Sequence, residues 1–206
     1  MIKARHHIVV YPLFKWLTRF LIKRNFRAVH VEGYFTDNHK AILTIANHVS
    51  WWDGFWAEYL NQKIAQRRFY FMMLEQQLKK HWYFSYTGGY SIKTKSREVV
   101  KSIDYTAELL HNQENIVLMF PQGKIHSAYN NDIHFEKGVQ HIVNKSPDDM
   151  QVLFVANFTD YFSDAKPHLY IYHEAYPALF LKKNDIEKEY NQFYTRVLNK
   201  HKIKAS

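Results

Sequence analysis

Two short runs fix the kind of fold open to this chain. Residues 41–46 (AILTIA) and 116–120 (IVLMF) carry no charge and are bounded by polar residues. Such runs are too short for helices, and their successive positions are apolar, so both faces need cover. That is the pattern of a strand buried inside a sheet. Residues 69–73 (FYFMM) repeat it, and shorter strand patterns fall at 30–35, 152–157 and 168–173. Helical spacing appears between them. The stretch 96–111 places Val99, Val100, Ile103, Ala107 and Leu110 on one face, and 185–201 does the same with Ile186, Tyr190, Phe193, Tyr194 and Val197. A polar segment, 75–81, also reads as helix. Strands alternating with helices predict an α/β fold: one domain with a mixed, largely parallel sheet flanked by helices, plus an N-terminal amphipathic helix.

Both central runs end in unusual polar turns. The first delivers Asn47 and His48, and Asp53 follows five residues after the histidine. On a continuous helix, residues five apart point about 140° apart, so the two side chains cannot share a face. They meet if His48 lies in a turn before a helix and Asp53 in its first turn. The Ser50-x-x-Asp53 spacing resembles a capping box, with Ser50 at the N-cap and Asp53 at N3. Two readings follow: Asp53 as a helix cap beside a structural histidine, or a carboxylate that orients a histidine base. The second run ends in Phe120-Pro121-Gln122-Gly123-Lys124. Ligand sites in α/β sheets gather at such strand ends. Gly88-Gly89 followed by Lys93, Lys95 and Arg97 reads either as a hairpin-like turn with exposed lysines or as a turn that holds a phosphate.

Composition excludes several chemistries. The chain has no cysteine, so disulfides, thiolate metal sites and a cysteine nucleophile are ruled out. It holds thirteen histidines but no H-E-x-x-H, and His6-His7, His126, His134 and His141 show no ligand spacing, so no metal site is expected. The net charge of +9 calls for an anionic partner. No nucleic-acid signature accompanies it, and nucleic acid is not expected to be that partner.

Residues 8–22 are rich in apolar groups, but the uncharged run 8–14 falls short of the roughly 20 residues that span a bilayer. No cleavage site of signal-peptide type follows. Lys15, Arg19, Lys23 and Arg27 recur at four-residue steps, with Leu13, Trp16, Leu17, Phe20 and Leu21 filling the other side. A basic amphipathic helix over 1–30 fits a membrane interface. It equally fits a helix packed on the protein's own core, because the periodicity is the same in both cases.

In order, N-H-x-x-x-x-D, a Gly-Gly turn with an isoleucine and basic residues, an amphipathic helix, and F-P-x-G-x-x-x-S resemble the glycerolipid acyltransferase family of 1-acylglycerol-3-phosphate type. The match runs over about residues 40–160. Phe135-Glu136-Lys137-Gly138 is similar to the F-x-x-G segment that follows in that family. The resemblance implies an O-acyltransferase domain over 31–206 that moves an acyl group from acyl-CoA or acyl-carrier protein to a hydroxyl of a lysophospholipid or related lipid. His48 would be the base and Asp53 its orienting partner. Asn47, Lys93, Pro121, Gln122 and Gly123 would contact substrate. No cofactor or metal is implied beyond the thioester co-substrate, and the place of action would be the cytoplasmic face of an anionic membrane, peripherally. Three departures stand out: Ile92-Lys93-Thr94 where the family has an arginine, Gln122 where it has glutamate, and no V-P motif in 152–157. The first two fall where the family holds the acceptor, which points to an altered acceptor, or to a non-catalytic relative that binds lipid or acyl thioester.

Overall fold

The computed structural model describes residues 1–93 and 98–204. A seven-stranded sheet forms its centre, in the order β1-β7-β6-β2-β5-β3-β4. The strands are β1 (Ala28–Tyr34), β2 (Ile42–Ala46), β3 (Arg68–Leu74), β4 (Gly89–Ile92), β5 (Asn115–Met119), β6 (Gln151–Asp160) and β7 (His168–Pro177). Every ladder is parallel except β6–β7. The sheet is thus mixed and largely parallel, as the pattern predicts. The uncharged runs occupy its middle: every residue of β2 and of β5 is buried.

Helices cover both faces. α1 (Val10–Asn25) and α2 (Asp53–Ile64) lie on one face, where Phe14, Ile22, Phe26, Phe55, Trp56 and Leu60 pack with Ile42, Leu118, Leu153 and Ile171. The other face carries α4 (Val99–Leu109), α5 (Val139–Lys145), α6 (Ala178–Lys183) and α7 (Ile186–Lys202). Ile103, Ile142, Leu181, Tyr190 and Phe193 pack there with Leu43, Val117 and Phe154. α7 starts at a true cap: Asp185 accepts from the N–H groups of Glu187 and Lys188.

Five elements differ from the sequence reading. The Gly-Gly segment is not a hairpin-like turn. Gly88 takes φ +103 and Gly89 begins β4, parallel to β3. A side chain at Gly88 would sit 2.0 Å from the carbonyl oxygen of Phe69, so only glycine allows this close entry to the sheet edge. The short α3 (Glu75–Lys80) leads into a 3-10 turn, Trp82–Tyr86, that the periodicity does not announce. α5 and α6 are likewise unannounced. The helix expected at 96–111 is observed from Val99, and Lys95 and Arg97 lie outside the described residues.

The free edge of β4 is covered by the N-terminal segment. Ile2 and Ser91 exchange bonds, with the Ser91 N–H donating to the Ile2 carbonyl and the Ile2 N–H to Ser91 Oγ. The Gly88 N–H donates to Arg5, and His6 bridges Thr87 in antiparallel fashion. An unpaired edge of this kind invites aggregation, and the segment removes it.

α1 packs on the protein's own core through the narrow stripe Phe14, Thr18 and Ile22. The broader apolar set stays in solvent, with Leu13 57%, Trp16 60%, Leu17 37% and Phe20 45% exposed.

Candidate active site

β2 ends at Ala46, and Asn47 is the first residue beyond it. Asn47 is fully buried, and its amide replaces the next ladder bonds to β6. Its Nδ2 donates to the carbonyl of Asn157 at 3.0 Å and its Oδ1 accepts the Asn157 N–H at 2.8 Å. With both amide atoms taken, Asn47 braces the turn from below. This is the end of β2 at which the chain leaves the sheet, and it holds the peptide of His48.

His48 is held by three hydrogen bonds and a ring stack. Its ring Nδ1 lies 2.7 Å from Asp53 Oδ2. Its backbone N–H donates to Gln122 Oε1 at 2.6 Å, and its carbonyl accepts the N–H of His126 at 2.9 Å. The ring stacks on Phe120, with centroids 4.1 Å apart and planes within 9°. The loop after β5 therefore clamps the His48 peptide on both sides, and the last residue before Pro121 fixes its ring plane. His48 thus lies in the turn after β2 and Asp53 at the start of α2, and the two side chains meet across that turn.

The helix start differs in detail from a capping box centred on Ser50. α2 begins at Asp53, with Trp52 at its N-cap and no side-chain cap. Ser50 Oγ accepts from the Trp52 N–H at 3.1 Å, inside the turn. The reverse half of the box is present, since Asp53 Oδ2 accepts the Ser50 N–H at 2.9 Å, and the Val49 N–H at 2.7 Å. The aspartate is drawn back over the turn because its carboxylate serves His48 as well as the backbone.

Asp53 has no exposed surface. Burial pushes its carboxyl up from the ordinary value, and the His48, Ser50 and Val49 donors pull it back. All three donors converge on Oδ2, an arrangement that suits a carboxylate, which only accepts. Since Oδ2 accepts, the His48 proton sits on Nδ1. Nε2, the other ring nitrogen, has no hydrogen-bond partner among the described residues. The side chain of His48 is 22% exposed.

Gln122 is buried at 4% exposure. Its amide oxygen holds the His48 backbone. Replacing it by leucine leaves the His48 N–H without a partner, a loss of about 1–3 kcal/mol. Q122L is expected to unfold at lower denaturant and to show a reduced kcat, while Gln122→Glu, which keeps an acceptor oxygen, retains more of both. Pro121 is buried, and its carbonyl accepts the Glu136 N–H at 2.7 Å. Gly123 takes φ +68, with Glu136 Cγ 3.0 Å from where a Cβ would stand.

Lys93 stands apart. It follows β4, and β5 and β3 lie between it and β2, so three strand spacings of about 4.8 Å put it about 14 Å along the same edge. Its Nζ lies 2.7 Å from Glu98 Oε2 and 3.7 Å from Glu75 Oε1. Glu98 foremost, then Glu75, raises its pKa. The C-terminal ends of β2, β5, β3 and β4 form one rim, with His48 at one end and this balanced cation at the other. Among the described residues, no group of three or more His, Asp or Glu side chains is placed to hold a metal ion.

His126, Phe120 and Asn157 are the site neighbours that sequence reasoning missed. Their contacts with 47–48 cross 72 to 110 positions of chain, and no local pattern marks them.

A search of curated proteins gives no match. A scan of protein-family models matches the Acyltransferase family over residues 22–157, which takes in β1–β5, the His48–Asp53 turn, the Gln122 loop and most of β6. The chain belongs to the acyltransferase family, of the 1-acylglycerol-3-phosphate acyltransferase-like type.

Proposed function

We propose that this protein is an O-acyltransferase that moves a fatty acyl group from an acyl thioester to the hydroxyl of a lysophospholipid or related lipid. The carrying observation is the 2.7 Å contact between His48 Nδ1 and Asp53, which leaves Nε2 as the base. Nε2 takes the acceptor's hydroxyl proton as the oxygen attacks the thioester carbonyl. The tetrahedral intermediate collapses with loss of the thiolate. The imidazolium then returns its proton to that sulfur, giving the acyl ester and a free thiol. Asp53 holds the tautomer and stabilises the imidazolium between the two steps. Acyl-CoA and acyl-carrier protein are both anionic, and a chain of net charge +9 attracts either.

The acceptor differs from lysophosphatidic acid in this reading. Lys93 stands in the neighbourhood where the family has an arginine, and its charge is already met by Glu98 and Glu75. A lysine in any case lacks the bidentate fork that suits a phosphate.

The protein would work peripherally at the cytoplasmic face of an anionic membrane. No helix among the described residues is long and apolar enough to cross one. α1 would lie in the interface through Leu13, Trp16, Leu17 and Phe20, the residues it leaves exposed.

The test is thioester consumption with pooled lysolipid acceptors and mass-spectrometric product identification. One acylated product with stoichiometric free thiol, absent with His48→Ala, is expected. Equal background signals from both proteins would overturn the enzyme reading in favour of a lipid- or thioester-binding relative.

A further inference from the structure

We infer that the lipid surface is met not by α1 alone but by one plane of three separate elements: α1, the 3-10 turn Trp82–Tyr86, and Trp51 beside the catalytic histidine. This rests on the membrane-active reading above and adds to it the orientation in which the protein docks.

The buried ring of Phe14 ties the three together. It contacts Phe55 at 5.7 Å and Phe84 at 6.1 Å. Phe55 in turn contacts Trp51 at 5.0 Å, and Phe84 contacts Tyr83 at 4.8 Å. Around this hidden centre, large apolar groups face outward: Trp82 is 64% exposed, Tyr83 45%, Trp51 64% and, at the start of α1, Ile8 87%. The 3-10 turn buries none of its five residues. A turn whose tryptophan and tyrosine both stay in solvent is poorly explained by packing within the chain. Those two residue types, with an apolar body and a polar tip, prefer the boundary between lipid and water.

The charges around the plane suit an anionic lipid surface. Arg19, Lys23 and Arg24 on α1 are exposed and form no ion pair among the described residues. Lys80, in the helix that feeds the turn, is likewise exposed and unpaired among them. Apolar and aromatic groups interleaved with unpaired cations are what peripheral binding to anionic lipid needs. A protein partner would more often present a flat apolar core with few cations.

The consequence is positional. Trp51 lies three residues from His48, at the strand-end rim, whereas the turn Trp82–Tyr86 leads into the start of β4, back from that rim. A plane through Trp51, α1 and the turn brings the lipid surface up to the His48 turn, so an acceptor lipid can reach His48 without leaving the surface.

The chain has no cysteine, so a single introduced cysteine can carry an environment-sensitive fluorophore without background. Labels would be placed in turn on Phe20→Cys, Trp51→Cys, Tyr83→Cys and, as a control in the loop before β5 at the strand ends opposite His48, Gln113→Cys. Each full-length protein would be mixed with vesicles of phosphatidylcholine and phosphatidylglycerol, with and without brominated acyl chains. Blue shift and bromine quenching at 20, 51 and 83, and neither at 113, are expected. Insertion at 20 with 83 and 51 left in water would overturn the three-element plane, and no insertion anywhere would overturn membrane docking altogether. The readout needs no turnover, so a failed acyl-transfer assay would leave it unaffected. As a second measure, W82S/Y83S is expected to weaken partition onto these vesicles at least about tenfold, since binding scales with the apolar area buried.

Discussion

Replacing His48 by alanine is expected to lower kcat for acyl transfer by about 10²–10⁴-fold, the usual worth of a positioned general base. Asp53→Asn should fall in the same range for a different reason. An asparagine can place only one group where Oδ2 stands, the atom that His48, Val49 and Ser50 share. A carbonyl oxygen there keeps the three donors but brings no charge to stabilise the imidazolium, and an NH2 there donates to Nδ1, drives the ring proton to Nε2 and removes the base. H48A/D53N should then be no worse than the weaker single variant, because the two residues act as one unit. The structure also separates chemistry from folding. H48A removes a ring that is partly exposed, whereas Asp53→Ala would strand the part-buried N–H groups of Val49 and Ser50, at up to about 1–3 kcal/mol each. Steady-state kinetics beside urea unfolding distinguishes these. Activity lost in H48A with an unchanged unfolding midpoint supports the base. Full activity in H48A, or additive losses in the double variant, would rule it out.

What the sequence makes legible follows from the range of the forces involved. β2 and β5 are readable because a buried parallel strand must be apolar at every position, and five or six such residues suffice. The His48–Asp53 pair is readable because a turn and a helix start are local events. The N-cap falls two residues later than the Ser50 signature suggests, because the Asp53 carboxylate has a second employer in His48. β4 is obscured by the glycine that permits it, since Gly88 looks like a turn until the Phe69 carbonyl beside it is seen. α5 and α6, of seven and six residues, are too short to show a period. The bond of Gln122 to the His48 N–H is invisible for a different reason: the two are 74 positions apart. Lys93 is recognisable as a cation, but only the fold brings Glu75 and Glu98 to it.

The helix that carries Asp53 also carries a carboxyl group that should make stability depend on pH. Glu58 has no exposed surface and faces α1. Burial raises its pKa from 4.5 to about 7, against the opposing pull of the Asn61 amide, Lys15, the Gln62 amide and Arg19. Gln62 also donates to the Lys15 carbonyl, which joins the group to α1, and Tyr11 of α1 has its own pKa raised, chiefly by burial and then by Glu58. The folded protein therefore holds a proton on Glu58 that the unfolded chain has released. The stabilisation is complete below about pH 4.5 and is lost as pH rises to about 7. A shift of this size corresponds to about 3 kcal/mol, at 1.36 kcal/mol per unit. Glu58→Gln is uncharged at every pH and can keep a hydrogen bond to Asn61. Urea unfolding should show the variant gaining on the wild type from pH 5 to 8 by up to about 3 kcal/mol, with little difference at pH 4.5. Asp53, whose carboxyl burial also raises, adds a slope of the same sign to both proteins, so the difference between them isolates Glu58. Parallel pH profiles would show that Glu58 is ionised in the fold across this range, held by Lys15 and Arg19. A gain that appears on schedule places a proton between α1 and the helix whose first residue orients His48, so loosening of α1 at alkaline pH would be felt at the base.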